Sequence, residues 1–146
     1  MSTHRHSTRT GYTSTYSAWK ALKLRCLCKT SKSYPRYGGR GITVCKRWMK
    51  FENFLKDMGE RPTGLTLERI NNKKGYYKSN CRWATALDQA NNKRNNIFVK
   101  YKGRSLTIAQ WARELNIRVR TLYNRRYRGK TGKELLAPSV NKRLTR

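Results

Sequence analysis

Only seven acidic residues stand against 35 lysines and arginines in this chain, so a carboxylate placed where it can hold a cation is conspicuous. Glu68, in Leu67-Glu68-Arg69-Ile70-Asn71-Asn72, is that carboxylate: the pattern puts it on a hairpin strand facing a capped helix, not on a helix surface. Such a group either ligates a divalent ion or pairs with one of the many bases around it. Asn80, Asn91 and Asn92 have a local reading as turn and helix-end residues that satisfy main-chain groups. Cys26, Cys28, Cys45 and Cys81 are either metal ligands or small buried thiols. The Cys-x-Cys spacing is too tight for a zinc knuckle and the other two lie far away in sequence, which favours buried thiols.

The elements that position these residues follow from the apolar spacing. Residues 1–13 are Ser, Thr, His and Arg without periodicity and read as a flexible basic arm holding both histidines, His4 and His6. Tyr16, Trp19, Leu22 and Cys26 fall at helical spacing. Arg36-Tyr37-Gly38-Gly39-Arg40-Gly41 breaks that helix with a turn whose bare backbone can approach a phosphate, and Ile42 and Val44 then alternate as a short strand. Trp48, Phe51, Leu55 and Met58 predict a second helix, stopped by Gly59 with Pro62 beyond.

Leu65 and Leu67 alternate into a turn at residues 71–75, and an extended stretch from Tyr76 to Arg82 returns, making a long-looped hairpin. Thr85 and Asp88 have the spacing of a capping box opening a helix to about Asn95. Strand, strand, helix results. Phe98 to Arg104 reads as a strand or linker. A helix from Ile108 ends at Asn116, a residue able to take the left-handed conformation, and a second helix starts near Thr121. Ala112, Asn116, Ile117 and Leu122 fall where a helix-turn-helix needs a small residue, a turn residue and two apolar ones. Trp111 belongs to the core by its place in the period.

The net charge of +28 asks for a polyanionic partner, and nucleic acid is that partner. An aromatic content of 11% argues against a merely disordered basic chain. No basic amphipathic helix, lipidation signal, leader-like apolar run or stretch of transmembrane length is present, so a soluble cytoplasmic protein of a bacterial host or phage-infected cell is expected.

The Leu67–Asn72 segment, then Gly75-Tyr76, Asn80-Cys81-Arg82-Trp83-Ala84-Thr85, Gln89 and Asn92, resembles the motif of the HNH (ββα-metal) endonucleases, in their phage-borne and homing-type branch. The Tyr-Gly-Gly-Arg-Gly-Ile element and the Trp-x-x-Phe helix ahead of it resemble the same branch, so the likeness covers roughly residues 16–96. It implies an α+β fold: a small ββα-metal core with flanking helices, joined to a C-terminal helix-turn-helix. The expected divisions are the arm at 1–13, a nuclease domain at 14–97 with its core at about 64–96, the helix-turn-helix at 98–137 and a basic tail at 138–146.

By the same resemblance Glu68 binds Mg²⁺ or Mn²⁺, with Gln89 and Asn92 as further ligands and Asn80 as the orienting amide. Arg69 stands where the family has its water-activating His. An arginine does not take up a proton at working pH, so Arg69 is assigned to the phosphate, with water activation left to the metal or to Tyr37 or Tyr76. Structural zinc, which some relatives hold, would need Cys26, Cys45 and Cys81 to converge beside the hairpin with Cys28. Double-stranded DNA is the expected partner, bound by Arg36, Arg40, Arg82, Lys93 and Arg94. The second C-terminal helix adds Arg118, Arg120, Thr121, Asn124, Arg125, Arg126 and Arg128. Cleavage is of one strand by a monomer or of both by a homodimer. Two rival readings are a decayed HNH scaffold that only binds DNA and an RNA-binding basic protein.

Overall fold

The computed structural model describes residues 7–8 and 11–138. The chain is a small α+β protein that divides into two compact units, Met1–Asn92 and Lys93–Arg146. His4 and His6 and the tail from residue 139 lie outside the described residues.

In the first unit, β1 (Ser7–Thr8) and β2 (Gly11–Tyr12) pair antiparallel, so part of the expected arm carries a short ladder. Thr13 caps α1 (Ser14–Leu27), its side-chain oxygen accepting from the Tyr16 N–H at 3.3 Å. Thr15, Trp19, Leu22 and Cys26 bury one face of that helix, four residues at three- and four-residue steps, as a half-buried helix requires. The Gly-rich turn forms two 3₁₀ turns, Tyr34–Arg36 and Gly38–Arg40. Gly38 is needed for close packing: a Cβ there would lie 2.1 Å from the Cys26 carbonyl oxygen. Gly41, at φ +80°, closes the turn in the left-handed region.

No strand forms over Ile42–Val44. Val44 makes one parallel bridge to Tyr76, with Cys45 N–H donating to the Tyr76 carbonyl at 2.9 Å and Tyr76 N–H to that of Thr43 at 2.8 Å. Burial of Ile42 and Val44 produced the alternation, and the chain leaves the ladder after one residue. The second helix, α2 (Phe51–Met58), begins later than its apolar spacing suggests, because Trp48 sits in a 3₁₀ turn, Lys46–Met49. Gly59 ends it at φ +67°, its N–H donating to the Leu55 carbonyl.

β3 (Thr66–Arg69) and β4 (Cys81–Ala84) pair antiparallel, with Glu68 opposite Arg82 and Arg69 opposite Cys81. Leu67 and Trp83 pack on the core of Trp19, Leu22, Trp48, Phe51, Phe54 and Tyr76. Thr66, Glu68 and Arg82 take the other face by strand alternation. The returning limb is less extended than expected, because Lys78–Asn80 is a 3₁₀ turn. The capping box of Thr85 and Asp88 is present and opens α3, which is short, Ala86–Asn91.

The second unit opens with a hairpin, β5 (Phe98–Tyr101) and β6 (Arg104–Thr107), turned at Lys102 and Gly103, both at positive φ. A two-residue turn of that kind matches strand twist. Thr107 and Gln110 form a second capping box for α4 (Ile108–Glu114). Asn116, at φ +52°, turns the chain into α5 (Val119–Tyr127), and α6 (Gly132–Leu135) closes the unit. Its core is Val99, Ile108, Trp111, Ala112, Ile117, Leu122, Leu135 and Leu136, with the Trp111 indole donating to the Val99 carbonyl at 2.9 Å.

Candidate functional site

Glu68 lies on the face of the β3–β4 hairpin away from the core and is only 6% exposed. Among the described residues it is the only buried acid, and its Oε2 accepts from Arg82 Nε at 2.9 Å. The Arg82 side chain is half exposed, so one partner of this pair reaches solvent and the other does not. Gln89, on α3, donates from Nε2 to the Thr66 hydroxyl, and Thr66 shares the Glu68 face of β3. The hairpin and helix therefore bring Glu68, Arg82 and Gln89 to one side of the sheet.

Asn92 and Asn80 both bond to main-chain groups around the hairpin. Asn92 donates from Nδ2 to the Arg69 carbonyl at 2.8 Å and accepts on its own carbonyl from the Asn72 amide, tying the end of α3 to the end of β3. Asn80, 4% exposed, accepts from Asn71 N–H at 2.9 Å and donates to the carbonyls of Gly75 at 2.8 Å and Asn71 at 3.2 Å. It staples the loop between the two strands.

Arg69 is also turned inward. It is 7% exposed, and its Nη1 donates to the carbonyls of Lys74 at 2.9 Å and Asn72 at 3.1 Å. Its guanidinium stacks 5.2 Å from the Tyr37 ring centre and 5.0 Å from that of Tyr76. The expectation that Arg69 grips the scissile phosphate directly is corrected by this burial: an arginine on a core-facing strand position spends its donors on the loop. Tyr76 is buried, and desolvation pushes its phenol above the usual range even though Arg69 and Arg25 pull the other way. A phenol so placed is a poor acceptor of a proton from water. Tyr37 remains partly accessible.

Cys26 and Cys81 are buried thiols in the core, with Cys45 packed at its edge. Burial raises the thiol of Cys81 to about 11 and pushes that of Cys26 up as well. Cys28 stands apart against the Thr30 hydroxyl at 3.2 Å, which lowers its pKa. The four cysteines are thus not brought together, and among the described residues no three of His, Cys, Asp and Glu form a group that could hold a metal ion.

Of the expected DNA contacts, Arg36, Arg40, Lys93, Arg94, Arg118, Arg120, Asn124, Arg126 and Arg128 are exposed, and Thr121 is half-buried. Arg125 is spent inside its own unit, its Nη1 donating to the carbonyls of Leu135 at 3.0 Å and Ala137. Arg25 and Arg61 escaped the sequence reading. Both line a cleft of about 400 Å³ between α1 and β3 that also reaches Thr66 and Gln89. No local signal marks either one: Arg25 falls on the flank of the buried stripe of α1, where a half-buried arginine looks like any other in a chain this basic.

Comparison with protein families, with curated proteins and with solved structures finds no match for this chain. Among the described residues no helix is long and apolar enough to cross a membrane.

Proposed function

We propose that the protein is a DNA endonuclease of the HNH type, its first unit hydrolysing a phosphodiester and its second gripping duplex DNA through α4, Asn116 and α5 as a helix-turn-helix. The observation that carries this reading is Glu68: a carboxylate kept on the α3 side of a ββα hairpin in a chain of net charge +28. Elsewhere on a surface meant for phosphate an acid is a liability, since it repels the ligand unless a cation lies between them.

The donor set suits a hard divalent ion. Glu68 supplies a carboxylate, and the Gln89 carbonyl oxygen is the end of that amide not used on Thr66. Mg²⁺ is commonly held by one or two carboxylates together with substrate phosphate, so one acid is sufficient when DNA completes the shell. Such an ion, when bound, polarises the phosphoryl oxygen and lowers the pKa of water. Arg82 is already hydrogen-bonded to Glu68 and half exposed, and it exchanges the carboxylate for a phosphate oxygen as the strand arrives. Asn80, Asn92 and Arg69 hold the loop and helix end that frame these groups.

The test is cleavage of supercoiled plasmid by the purified protein with and without Mg²⁺ or Mn²⁺. Cutting that requires the ion and vanishes in Glu68→Ala, while metal-free DNA binding stays equal or tightens, supports the reading. Undiminished cutting by Glu68→Ala removes Glu68 from the site.

A second reading, a non-cutting DNA-binding protein on the same scaffold, is favoured by the direct Glu68–Arg82 ion pair. A parent protein that binds duplex DNA but cuts with neither ion decides for it.

A further inference from the structure

Arg25, Arg61 and Arg69 lie toward the α1 side of the hairpin, and among the described residues none has a carboxylate partner. Arg69 stacks on Tyr37 from 5.2 Å, and Arg25 lies 5.5 Å from the centre of the same ring. Arg61 is fixed nearby, its main-chain N–H on the buried Thr15 hydroxyl at 2.8 Å and its Nε on the Leu65 carbonyl. The ion pairs among the described residues are Arg47–Asp57, Arg82–Glu68 and Arg104–Glu114, so Arg25, Arg61 and Arg69 are balanced only by ring faces and carbonyls.

Arg25 and Arg69 face one Tyr37 ring, and like charges brought to one ring in a partly desolvated place cost free energy that an anion offsets. Arg69 is buried behind Tyr37, whereas Arg25 and Arg61 open on the cleft. Ala18 and Ala21 make the α1 wall of that cleft small, and its far side is formed by Leu67 together with Thr66 and Gln89, which bond to each other on the Glu68 face of β3. None of its lining residues is acidic.

We propose that the cleft between α1 and β3 is a phosphodiester seat, in which Arg25 and Arg61 contact the backbone of a DNA strand. The seat rests on the nucleic-acid reading above and gives it a direction: the strand entering the Glu68 face crosses α1 at Ala18 and Ala21. The planar fork of Arg25, set against the Tyr37 ring, presents paired donors that match two phosphate oxygens.

The experiment uses the full chain and a short mixed-sequence DNA duplex, with affinity measured over a range of salt for the parent, Arg25→Gln, Arg25→Lys and the surface control Lys56→Gln. Each phosphate neutralised contributes about −0.9 to the log-log salt slope. Arg25→Gln is expected to make the slope shallower by about that amount and to weaken binding about tenfold at moderate salt. Arg25→Lys keeps the parent slope with affinity between the two, because the charge remains and the fork does not. Lys56→Gln keeps slope and affinity.

Ala21→Glu against Ala21→Gln provides an independent pair on the cleft wall, usable even if Arg25→Gln fails to fold. The glutamate is expected to bind at least tenfold more weakly than the glutamine. A folded Arg25→Gln with the slope and affinity of the parent, or an Ala21→Glu no weaker than Ala21→Gln, overturns the seat while leaving the nucleic-acid reading intact. A parent whose duplex affinity is flat in salt overturns both, and the two failures are thereby distinguished.

Discussion

Glu68 and Arg82 face each other across the β3–β4 hairpin in direct register, with Nε 2.9 Å from Oε2, yet only the arginine reaches solvent. The pair is therefore asymmetric: removing Glu68 leaves an exposed guanidinium that water can solvate, whereas removing Arg82 strands a buried carboxylate.

Arg82→Ala accordingly destabilises the first unit more than Glu68→Ala does. The expected loss near neutral pH is about 1–2 kcal/mol, reduced from the fully buried case because half of Arg82 is already in water. Denaturant unfolding of Arg82→Ala and Glu68→Ala at neutral pH gives the comparison, and an Arg82→Ala variant at least as stable as Glu68→Ala would contradict the asymmetry.

Asp57 carries the pH dependence. The Arg47 guanidinium, and after it the Trp48 indole N–H, donate to its carboxylate at 2.8–3.2 Å and hold its pKa below the ordinary value. A depressed folded pKa contributes stability that is present above the unfolded pKa near 3.9 and is lost as pH falls through the folded pKa. Asp57→Asn should cost about 1 kcal/mol at neutral pH, modest because Arg47 is half exposed. The gap between parent and variant should close in acid. A difference that persists unchanged below pH 3 would assign the effect to packing against Trp48 instead.

Asn80 offers a test that separates donors from shape. Its Nδ2 serves two loop carbonyls, Gly75 and Asn71, and its Oδ1 serves the Asn71 N–H. Asn80→Ala leaves these partly buried groups without their partner, at about 2–4 kcal/mol. Asn80→Asp preserves the outline but turns two donors into a charged acceptor facing two carbonyl oxygens, so it should destabilise at least as much as alanine at neutral pH. Denaturant unfolding of the two variants gives the comparison. An aspartate variant as stable as the parent would mean that the loop does not depend on this amide.

The hairpin, its facing acid and the capped helix were legible in the sequence because each has a local chemical signature: alternation at Leu65 and Leu67, and a hydroxyl three residues before an acid at Thr85 and Asp88. Asn116 and the glycine stop at Gly59 were legible for the same reason, since left-handed positions restrict residue type. The direction of Arg69 was not legible. A cation on strand β3 looks alike whether it faces solvent or two tyrosines, and both Tyr37 and Tyr76 reach it from distant parts of the chain. Ile42 and Val44 alternate as a strand does, but pairing depends on a partner edge that the sequence does not display, and only Tyr76 provides one. β6 and α6 went unseen for a related reason, being four-residue elements stabilised by the packing of Thr107 and Leu135 in the second core and not by a long period.

Neighbouring arginines on α5 carry the last prediction, because adjacent helix positions point different ways. Arg125 reaches inward to the carbonyls of Leu135, Ala137 and Pro138 and so holds the end of α6, whereas Arg126 is exposed beside Tyr127 and Lys130. Arg125→Ala should lower the stability of the second unit by about 1–3 kcal/mol, the usual loss for charge-assisted bonds to main-chain oxygens, and weaken DNA binding only as far as it unfolds the unit. Arg126→Ala should leave the unfolding midpoint within about 0.5 kcal/mol of the parent, as for other surface changes, while making the salt slope of duplex binding shallower by about 0.9. The two measurements are made on the same preparations, unfolding by denaturant and affinity against salt. If Arg125→Ala changed the salt slope without touching stability, its guanidinium would be reaching DNA and not α6, and the inward assignment would have to be exchanged with that of its neighbour.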